Sequence, residues 1–410
     1  MVDHAGGNND LDEFLRLIEE TKQSGGSELS FCAKNLPKVP AEIGTLPKLR
    51  NLDLKIDLID ELSPEIGNLS NLEVLDLQGN ILQRLPVEIG KLARLTSLNL
   101  KGNQFSRLPE EIGQLACLSD FCLEGNKLKK LPAEIGRLTD LTSLNSDDNQ
   151  LKELPAEIGH LSSLTSLSLN SNSLTTLPAE IGQLDHLAEL SLQHNMLAEL
   201  PTEVWQLSKL VLLDLRKNKF LSLPGEIGRL AGCTTLNLQG NELTALPIEI
   251  GQLTDLKSLN LRGNRLTTLP PEIGELTALE SLDLGDNQLT TLPAEIGRLT
   301  NLEELDLDNN NLNELPNEAA DFTGLNRLNL DKNPLQGFPQ EARKLDAREL
   351  PAFLEKIRAY VPLSEIIQPN NMDLTPQGEW ENERIRRAGE AYSQIEQGSG
   401  TYEDARICAE

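Results

Sequence analysis

The stretch LTTLPAEIGRLTNLEELDLDNNNL, from Leu289 to Leu312, contains the pattern from which most of the chain is built. Its Glu295 lies 23 residues after Glu272. The same spacing holds without insertion or deletion from Glu42 to Glu341, which makes fourteen copies. A single catalytic site does not require such repetition, whereas a long and regular surface does.

Written as one unit, the repeat reads LxxLxxLxLxxNxLxxLPxEIGx. In its LxL part, apolar positions alternate with polar ones, which is the period-2 pattern of a strand with one buried face. Each unit is too short to bury its own leucines, so we expect the units to stack with their strands parallel. The predicted fold class is α/β: a right-handed solenoid shaped as a horseshoe, with a concave sheet of about 14 strands and helical caps at both ends.

The PxEIG segment predicts a short helix after each strand, with Pro at its first position and Glu in its first turn. Ile181, Leu184 and Leu187 recur at the spacing that would turn them towards the core. The Gly that usually follows Ile is expected to permit either a tight turn or close packing between neighbouring coils. Ser146 stands at a core Leu position, so we expect weaker packing in that strand.

An asparagine recurs once per copy and is expected to satisfy backbone groups in a hydrogen-bonded ladder. The first two copies have Lys34 and Asp57 at this position, so the ladder is expected to be imperfect there. The twelve residues are Asn80, Asn103, Asn126, Asn149, Asn172, Asn195, Asn218, Asn241, Asn264, Asn287, Asn310 and Asn333.

The two ends of a solenoid must be covered. At the front, Asp10 and Glu13 resemble a capping box that starts an amphipathic helix. At the back, a helix from about Arg348 to Tyr360 is expected to cover the last strand. We divide the chain into an amino-terminal capping helix (1–26), leucine-rich repeats (27–346), a carboxy-terminal capping helix (347–361), and a linker with an amphipathic helical tail (362–410).

The composition restricts the class of partner. Acidic residues number 64 against 37 basic ones, and a formal charge of −27 repels nucleic acid and anionic membranes. The opening MVDHAGGNNDLDE lacks a signal peptide, and no apolar run is long enough for membrane insertion. Five scattered cysteines form no disulfide framework or zinc motif. We therefore expect a cytoplasmic monomer, with secretion without a cleaved signal peptide as the alternative.

The sequence shows no arrangement of residues that is typical of a catalytic site. The four histidines are dispersed, and neither a GxSxG nucleophile elbow nor a GxxxxGK[ST] phosphate loop occurs. We predict that the chain is not an enzyme and has no catalytic residues, metal site or cofactor.

A protein ligand is expected to bind the concave strand face instead. One candidate site combines apolar and basic side chains, a mixture that suits protein recognition; it comprises Leu212, Arg216, Lys217, His194, Arg262 and Val74. Trp205, which replaces the usual Gly, lies in the same region. The alternative interpretation is neutral variation in a tolerant repeat, with Trp205 filling space on the convex side.

Acidic residues of the same face could receive a basic partner, or they could simply form a solvated surface. The candidate acidic patch comprises Asp283, Asp286, Glu304, Asp306, Asp308 and Asp331. A second acidic cluster comprises Asp120, Glu124, Asp147 and Asp148.

The LPxEIGxLxxL unit resembles the leucine-rich repeats of bacterial Roco-type proteins and of Ras-group-related repeat proteins. The opening LDEFLRLIEETKQSGGSELSF and the later KNPLQGFPQEARKL also resemble Roco-type chains. Over residues 10–360 the resemblance implies a curved platform that binds other proteins, often in signalling. The GTPase domain that follows the repeats in Roco proteins has no counterpart here, because the phosphate loop is missing.

The function predicted is therefore a non-enzymatic protein–protein interaction scaffold. Two alternatives stay open: a secreted bacterial effector that uses the repeats to recognise a host target, and a regulatory subunit of a separately encoded GTPase.

Overall fold

A computed structural model of the chain describes residues 7–322, 324–335 and 344–346. One α-helix, α1 (Gly7–Ser24), precedes the repeats. The strands are β1 Glu28–Ser30, β2 Lys38–Val39, β3 Asn51–Asp53, β4 Glu61–Leu62, β5 Val74–Asp76, β6 Ser97–Asn99, β7 Asp120–Cys122, β8 Ser143–Asn145, β9 Ser166–Ser168, β10 Glu189–Ser191, β11 Leu212–Asp214, β12 Thr235–Asn237, β13 Ser258–Asn260, β14 Ser281–Asp283, β15 Glu304–Asp306, β16 Arg327–Asn329 and β17 Lys344–Asp346.

Fifteen of these strands form one sheet in chain order. All neighbours from β1 to β16 run parallel and in register at an offset of 23 residues, as in the pairing of Leu259 with Leu282. At the last edge, β17 pairs antiparallel with β16, and Leu345 lies opposite Leu328. The short strands β2 and β4 form a separate parallel pair. The predicted solenoid with about 14 parallel strands is confirmed. We number the coils 1 to 14 by the strands of the main sheet from β1 to β16.

In coils 1 to 13 the helical segment is a 3-10 helix of five residues. These helices are Ala41–Thr45, Pro64–Asn68, Val87–Lys91, Glu110–Gln114, Ala133–Arg137, Ala156–His160, Ala179–Gln183, Thr202–Gln206, Gly225–Arg229, Ile248–Gln252, Pro271–Glu275, Ala294–Arg298 and Asn317–Asp321. Only Pro64 and Pro271 occupy the first helical position as expected; in the other described coils Pro is the residue just before the helix. With three residues per turn, positions three apart point the same way. Ile181, Leu184 and Leu187 are accordingly all fully buried.

The asparagine ladder joins consecutive coils by hydrogen bonds. Asn80 accepts from the amide of Ile59 at 2.9 Å and donates from Nδ2 to the carbonyls of Leu54 and Leu77, at 2.8 and 3.0 Å. The ladder continues to Asn333, which donates to Leu307 at 2.8 Å. The predicted ladder is thus confirmed, and it satisfies buried backbone groups in the turn after each strand.

Glycines on the convex side allow the coils to approach closely. A Cβ atom on Gly67 would lie 2.7 Å from the carbonyl oxygen of Glu88 in the next coil. Of the two expected reasons for Gly at this position, close packing is confirmed, because a larger side chain here would displace the neighbouring backbone. Coil 13 has Ala320 instead. Coil 8 is the larger exception. Its Trp205 stands at this position, is 1% exposed, and has an Nε1 atom without a hydrogen-bond partner.

The front of the solenoid is covered by α1, in which Phe14 and Ile18 are buried against the first coil. The expected capping box is wrong: α1 already begins at Gly7, and Asp10 accepts a hydrogen bond from the amide of Asn35 at 3.1 Å. Asp10 therefore attaches the helix to coil 1. The predicted rear cap at 347–361, the tail at 362–410 and Glu341 lie outside the described residues.

The packing defect expected at Ser146 lies in coil 6. It is fully buried, and its Oγ atom has no hydrogen-bond partner. The equivalent residues of the flanking coils, Leu123 and Leu169, are fully buried and apolar.

Candidate protein-binding face

The concave face presents three columns of side chains, which come from the residues before, between and after the two core positions of each strand. In coil 11 they are Ser258, Asn260 and Arg262. Because consecutive strands pair residue by residue, equivalent side chains stand in line across the sheet. The face can therefore contact an extended partner over many coils.

The central column has a structural task that the sequence analysis missed. Asn260 accepts a hydrogen bond from the amide of Arg262 at 3.0 Å, and Asp283 accepts one from Gly285 at 3.0 Å. The same bond occurs in most coils with Asp or Asn there. These side chains stabilise the turn that leaves the strand, as Asx turns do. An Asp or Asn three residues before the left-handed (positive-φ) position is the signal that would have revealed it.

The candidate site of apolar and basic residues is not one continuous patch. Leu212 and Val74 are both half-buried rather than exposed, and they lie in coils 9 and 3. Six coils separate them, which corresponds to roughly 29 Å along the sheet. His194 and Lys217 are exposed and stand in adjacent coils, both with left-handed backbone. Whether a partner contacts any of them stays a prediction.

The arginines of this site are engaged within the chain. Arg216 Nη2 lies 2.6 Å from Asp214 Oδ2, and Asp214 is only 8% exposed. Arg262 Nη2 lies 2.6 Å from Asp286, and Arg262 Nη1 lies 2.9 Å from Asp308. The expected excess of positive charge is therefore largely neutralised at these two positions.

Arg262 connects the two candidate sites. Its Nη1 is also 3.7 Å from carboxylate oxygens of both Asp283 and Asp306. Burial raises the pKa of Asp283, and the carboxylates of Asp306 and Asp308 raise it further, whereas Arg262 lowers it. The acidic patch is thus an organised cluster around one guanidinium. The remaining predicted members are Glu304, which is exposed, and Asp331.

Beside this cluster the strand face contains a cavity of about 160 Å³. Its polar lining comes from β13 to β16 and includes Ser258, Ser281 and Arg327, which no sequence motif had indicated. Ser258 and Ser281 are small, whereas Glu304 and Arg327 follow them in the same column with longer side chains, and this difference leaves the space. Reading each column along the sheet, instead of each repeat alone, would have revealed it.

The second acidic cluster is also engaged in the fold. Glu124 pairs with Lys101 at 2.7 Å, and Asp147 accepts hydrogen bonds from Ser168 Oγ and the Asn170 amide at 2.7 and 2.6 Å. Burial raises the pKa of Asp147, which these hydrogen bonds oppose. In the part of the chain that is described, no group of three or more His, Cys, Asp or Glu side chains could hold a metal ion.

Comparisons with known proteins agree with this architecture. Models of the "Leucine-rich repeat region" and "Leucine rich repeat" families match residues 88–173 and residues 47–105, 231–289, 254–312 and 277–335, and a further "Leucine Rich Repeat" model matches 163–184. A leucine-rich repeat protein of Leptospira interrogans is 40% identical, with a TM-score of 0.75 over 78% of this chain and 82% of its own. The chain is a leucine-rich repeat protein.

Two plant receptors share this leucine-rich repeat fold. The ectodomain of the Arabidopsis thaliana receptor kinase GASSHO1/SCHENGEN3, solved with CASPARIAN STRIP INTEGRITY FACTOR 2, is 30% identical with a TM-score of 0.59 over 76% of this chain. The plant peptide hormone receptor RGFR1, solved with RGF2, is 28% identical with a TM-score of 0.55 over 77%. This chain spans only 42% and 61% of the two receptor chains. No curated protein matches the sequence.

Leucine-rich repeats typically mediate protein–protein interaction, and nothing in the described residues of this leucine-rich repeat protein indicates catalysis. Its described residues also contain no helix of the length and apolarity needed to cross a membrane.

Proposed function

We propose that this leucine-rich repeat protein is a non-enzymatic scaffold that binds a protein ligand on its concave strand face. The observation that carries the proposal is the unbroken register of that face, which aligns polar side chains in columns over fourteen parallel strands. A surface of this length suits an extended polypeptide better than a small molecule.

The region from coil 8 to coil 14 offers the most varied chemistry on the face. Leu212 supplies a half-buried apolar contact, and Arg262 with its carboxylates supplies directed charge. The cavity beside the cluster can receive one side chain of a ligand. Because Asp283, Asp306 and Asp308 surround the single Arg262, the surplus charge favours a basic group there. The two plant receptors, one solved with CASPARIAN STRIP INTEGRITY FACTOR 2 and the other with RGF2, support this use of the fold.

Two further features belong to the proposal. The Roco-like pattern of the repeats suggests a role in signalling, and we propose that the chain acts as a monomer in the cytoplasm. Cys32, Cys117, Cys122 and Cys233 are all free thiols, which suits a reducing compartment. Neither the effector nor the GTPase-subunit alternative has a specific observation in its favour.

The test is photo-crosslinking in the native cells, followed by mass spectrometry. A benzophenone amino acid replaces Ser258 on the strand face or, as the matched control, exposed Gln183 on the convex side. We expect a protein captured from Ser258 but not from Gln183, and lost on Leu212→Glu/Arg216→Glu substitution in a variant of unchanged melting temperature. Equal capture from both positions, or no capture from the strand face, contradicts the proposal.

A further inference from the structure

A second surface lies on the rim of the solenoid, in the loops that follow the ladder asparagines. Six exposed basic residues of coils 3 to 6 converge there. We call them the basic strip: Arg84, Arg107, Lys127, Lys129, Lys130 and Lys152.

Backbone hydrogen bonds hold these loops in line. The amide of Gln104 donates to the carbonyl of Leu82 at 2.9 Å, and that of Lys127 donates to Phe105 at 2.9 Å. Arg84, Arg107 and Lys130 are therefore equivalent residues of three stacked coils. With a spacing near 4.8 Å per coil, the strip is roughly 15–20 Å long.

The charges of the strip are not neutralised from within. Among the residues that the structure describes, Arg84, Arg107, Lys129, Lys130 and Lys152 form no ion pair, and Lys127 contacts only Gln104 Oε1, at 3.4 Å. Most basic residues of the concave face pair with carboxylates, as Arg262 does. Basic residues without an ion pair also occur singly elsewhere in the described part of the chain, as Lys91 and Arg137 do on the convex side. What distinguishes the strip is that six of them stand in four consecutive coils of a chain with charge −27.

An apolar patch adjoins the amino-terminal end of the strip. Ile56, Leu58 and Ile81 are 55%, 53% and 36% exposed. Ile81 is the coil-3 equivalent of Leu58. The equivalent residues of the next two coils are Gln104 and Lys127. The apolar patch and the basic strip are therefore continuous.

The fold does not require an apolar residue at position 56. Ile56 has φ of 64°, and the equivalent residues of the next two coils are Gly79 and Gly102 with φ of 70° and 67°. A β-branched residue is strained in this left-handed conformation, which Gly adopts freely. Strain that serves no packing purpose is typical of binding surfaces.

We propose that the basic strip and the apolar patch together bind an acidic peptide segment of a partner protein. Its carboxylates would lie along the strip and an apolar side chain on Ile56, Leu58 and Ile81. A nucleic acid offers no matching apolar group, and the overall charge opposes long polyanions and anionic membranes. This surface borders the concave strand face, since Ile56 has the same repeat position as His194 and Lys217, but it lies in other coils. It does not depend on the function proposed for the strand face.

The test measures fluorescence anisotropy of the full chain with labelled peptides of about ten residues. The probe alternates Glu with Ser and has two leucines at one end; versions with the leucines at the other end, or with Ser in their place, are compared. The strip variant is Arg84→Glu/Arg107→Glu/Lys130→Glu. The control Lys91→Glu/Arg137→Glu/Arg229→Glu changes net charge equally at exposed residues of the convex 3-10 helices.

We expect the strip variant to bind the leucine-containing probe about tenfold or more weakly than the control variant, with a difference that shrinks between about 50 and 300 mM salt. Ile56→Gly is expected to weaken binding without lowering the melting temperature, since it removes strain. The proposal is overturned by equal affinity in the strip and control variants, or by no binding of either leucine probe at about 1 mM. A single-stranded oligonucleotide that binds equally well through the strip also overturns it.

Discussion

The Oδ1 atom of Asp57 accepts a hydrogen bond from the main-chain amide of Lys34 at 2.7 Å, while its Oδ2 atom is buried without a partner. In later coils the second atom of this side chain is an amide nitrogen that donates to carbonyls, as Asn80 Nδ2 does. A carboxylate oxygen cannot donate. Burial raises the pKa of Asp57 to about 6, because removal from water disfavours the charged form, and the nearby carboxylates of Asp53 and Asp10 add to this effect.

The first prediction follows from this pKa. The folded value lies above the unfolded one, so the folded state binds the proton more tightly, and stability falls as pH rises from about 4 through about 6. Asp57→Asn should therefore raise the free energy of unfolding at pH 7.5, by about 1–3 kcal/mol. Chemical denaturation should show a smaller gain at about pH 4.5. The reverse change, Asn80→Asp, should destabilise at pH 7.5; a gain from it would refute the argument.

Ser146 provides a second prediction, since its Oγ atom is buried without a partner between coils that have Leu at this position. Ser146→Leu should raise the free energy of unfolding by about 1–3 kcal/mol, and Ser146→Ala by less, because Ala removes only the unpaired hydroxyl. Thermal melts of the three proteins provide the measurement. A lower melting temperature for the Leu variant would mean that the coil has closed around the smaller side chain.

A third prediction concerns the contact between convex segments. A Cβ atom on Gly251 would lie 2.6 Å from the carbonyl oxygen of Glu272, so Gly251→Ala should cost about 1–3 kcal/mol. Gly232→Ala is the control, since its Cβ atom would meet only the Ser208 oxygen at 3.7 Å. Urea denaturation should separate the two variants. Equal stability would show that the coils can move apart without cost.

The fourth prediction tests what Trp205 does. Its side chain is almost fully buried, whereas its Nε1 atom has no partner. Trp205→Ala should cost about 3–5 kcal/mol through the cavity it leaves. Trp205→Phe keeps most of the apolar contact and removes the unpaired donor, so we expect a much smaller loss. If the two variants melt at the same temperature, the packing interpretation of Trp205 is incorrect.

The fifth prediction concerns Arg262, which holds the carboxylates of Asp283, Asp286, Asp306 and Asp308 together. Arg262→Gln should lower the free energy of unfolding by about 1–3 kcal/mol at neutral pH, and added salt should recover part of the loss. Arg298→Gln breaks an exposed pair with Glu275 and should change stability by under about 1 kcal/mol. Similar effects of the two substitutions in denaturation at low salt would contradict the assignment.

Local patterns in the sequence were sufficient for the framework. The LxL alternation predicted strands such as Ser258–Asn260, and the recurring Asn predicted the ladder that Asn80 and Asn333 form. The sequence predicted a short helix but not its type. The five residues between Pro and Leu fit one 3-10 segment better than an α-helix. Asp10 was wrongly assigned to a capping box, whereas its carboxylate accepts a hydrogen bond from coil 1. Both roles need an acidic side chain, so the residue type could not distinguish them.

The candidate sites were harder to predict, because their members meet across coils. The basic strip carries a signal that was overlooked, a basic residue two positions before Pro in QRLP, SRLP and KKLP of consecutive repeats. Comparing equivalent positions of neighbouring repeats would have shown it. The neutralisation of Arg216 by Asp214 was visible only once the side chains were placed.

The repeat pattern was enough to establish a stack of 23-residue coils with a parallel sheet and a leucine core, because periods of 2 and 23 leave one way to bury the apolar side chains. Which charges meet became clear only from the folded chain. Arg262 and Asp308 are 46 residues apart and lie within 2.9 Å, whereas Arg84 and Arg107 remain without carboxylate partners. An ion pair depends on the distance between side chains on different coils, and a repeat pattern fixes only the positions of their backbones.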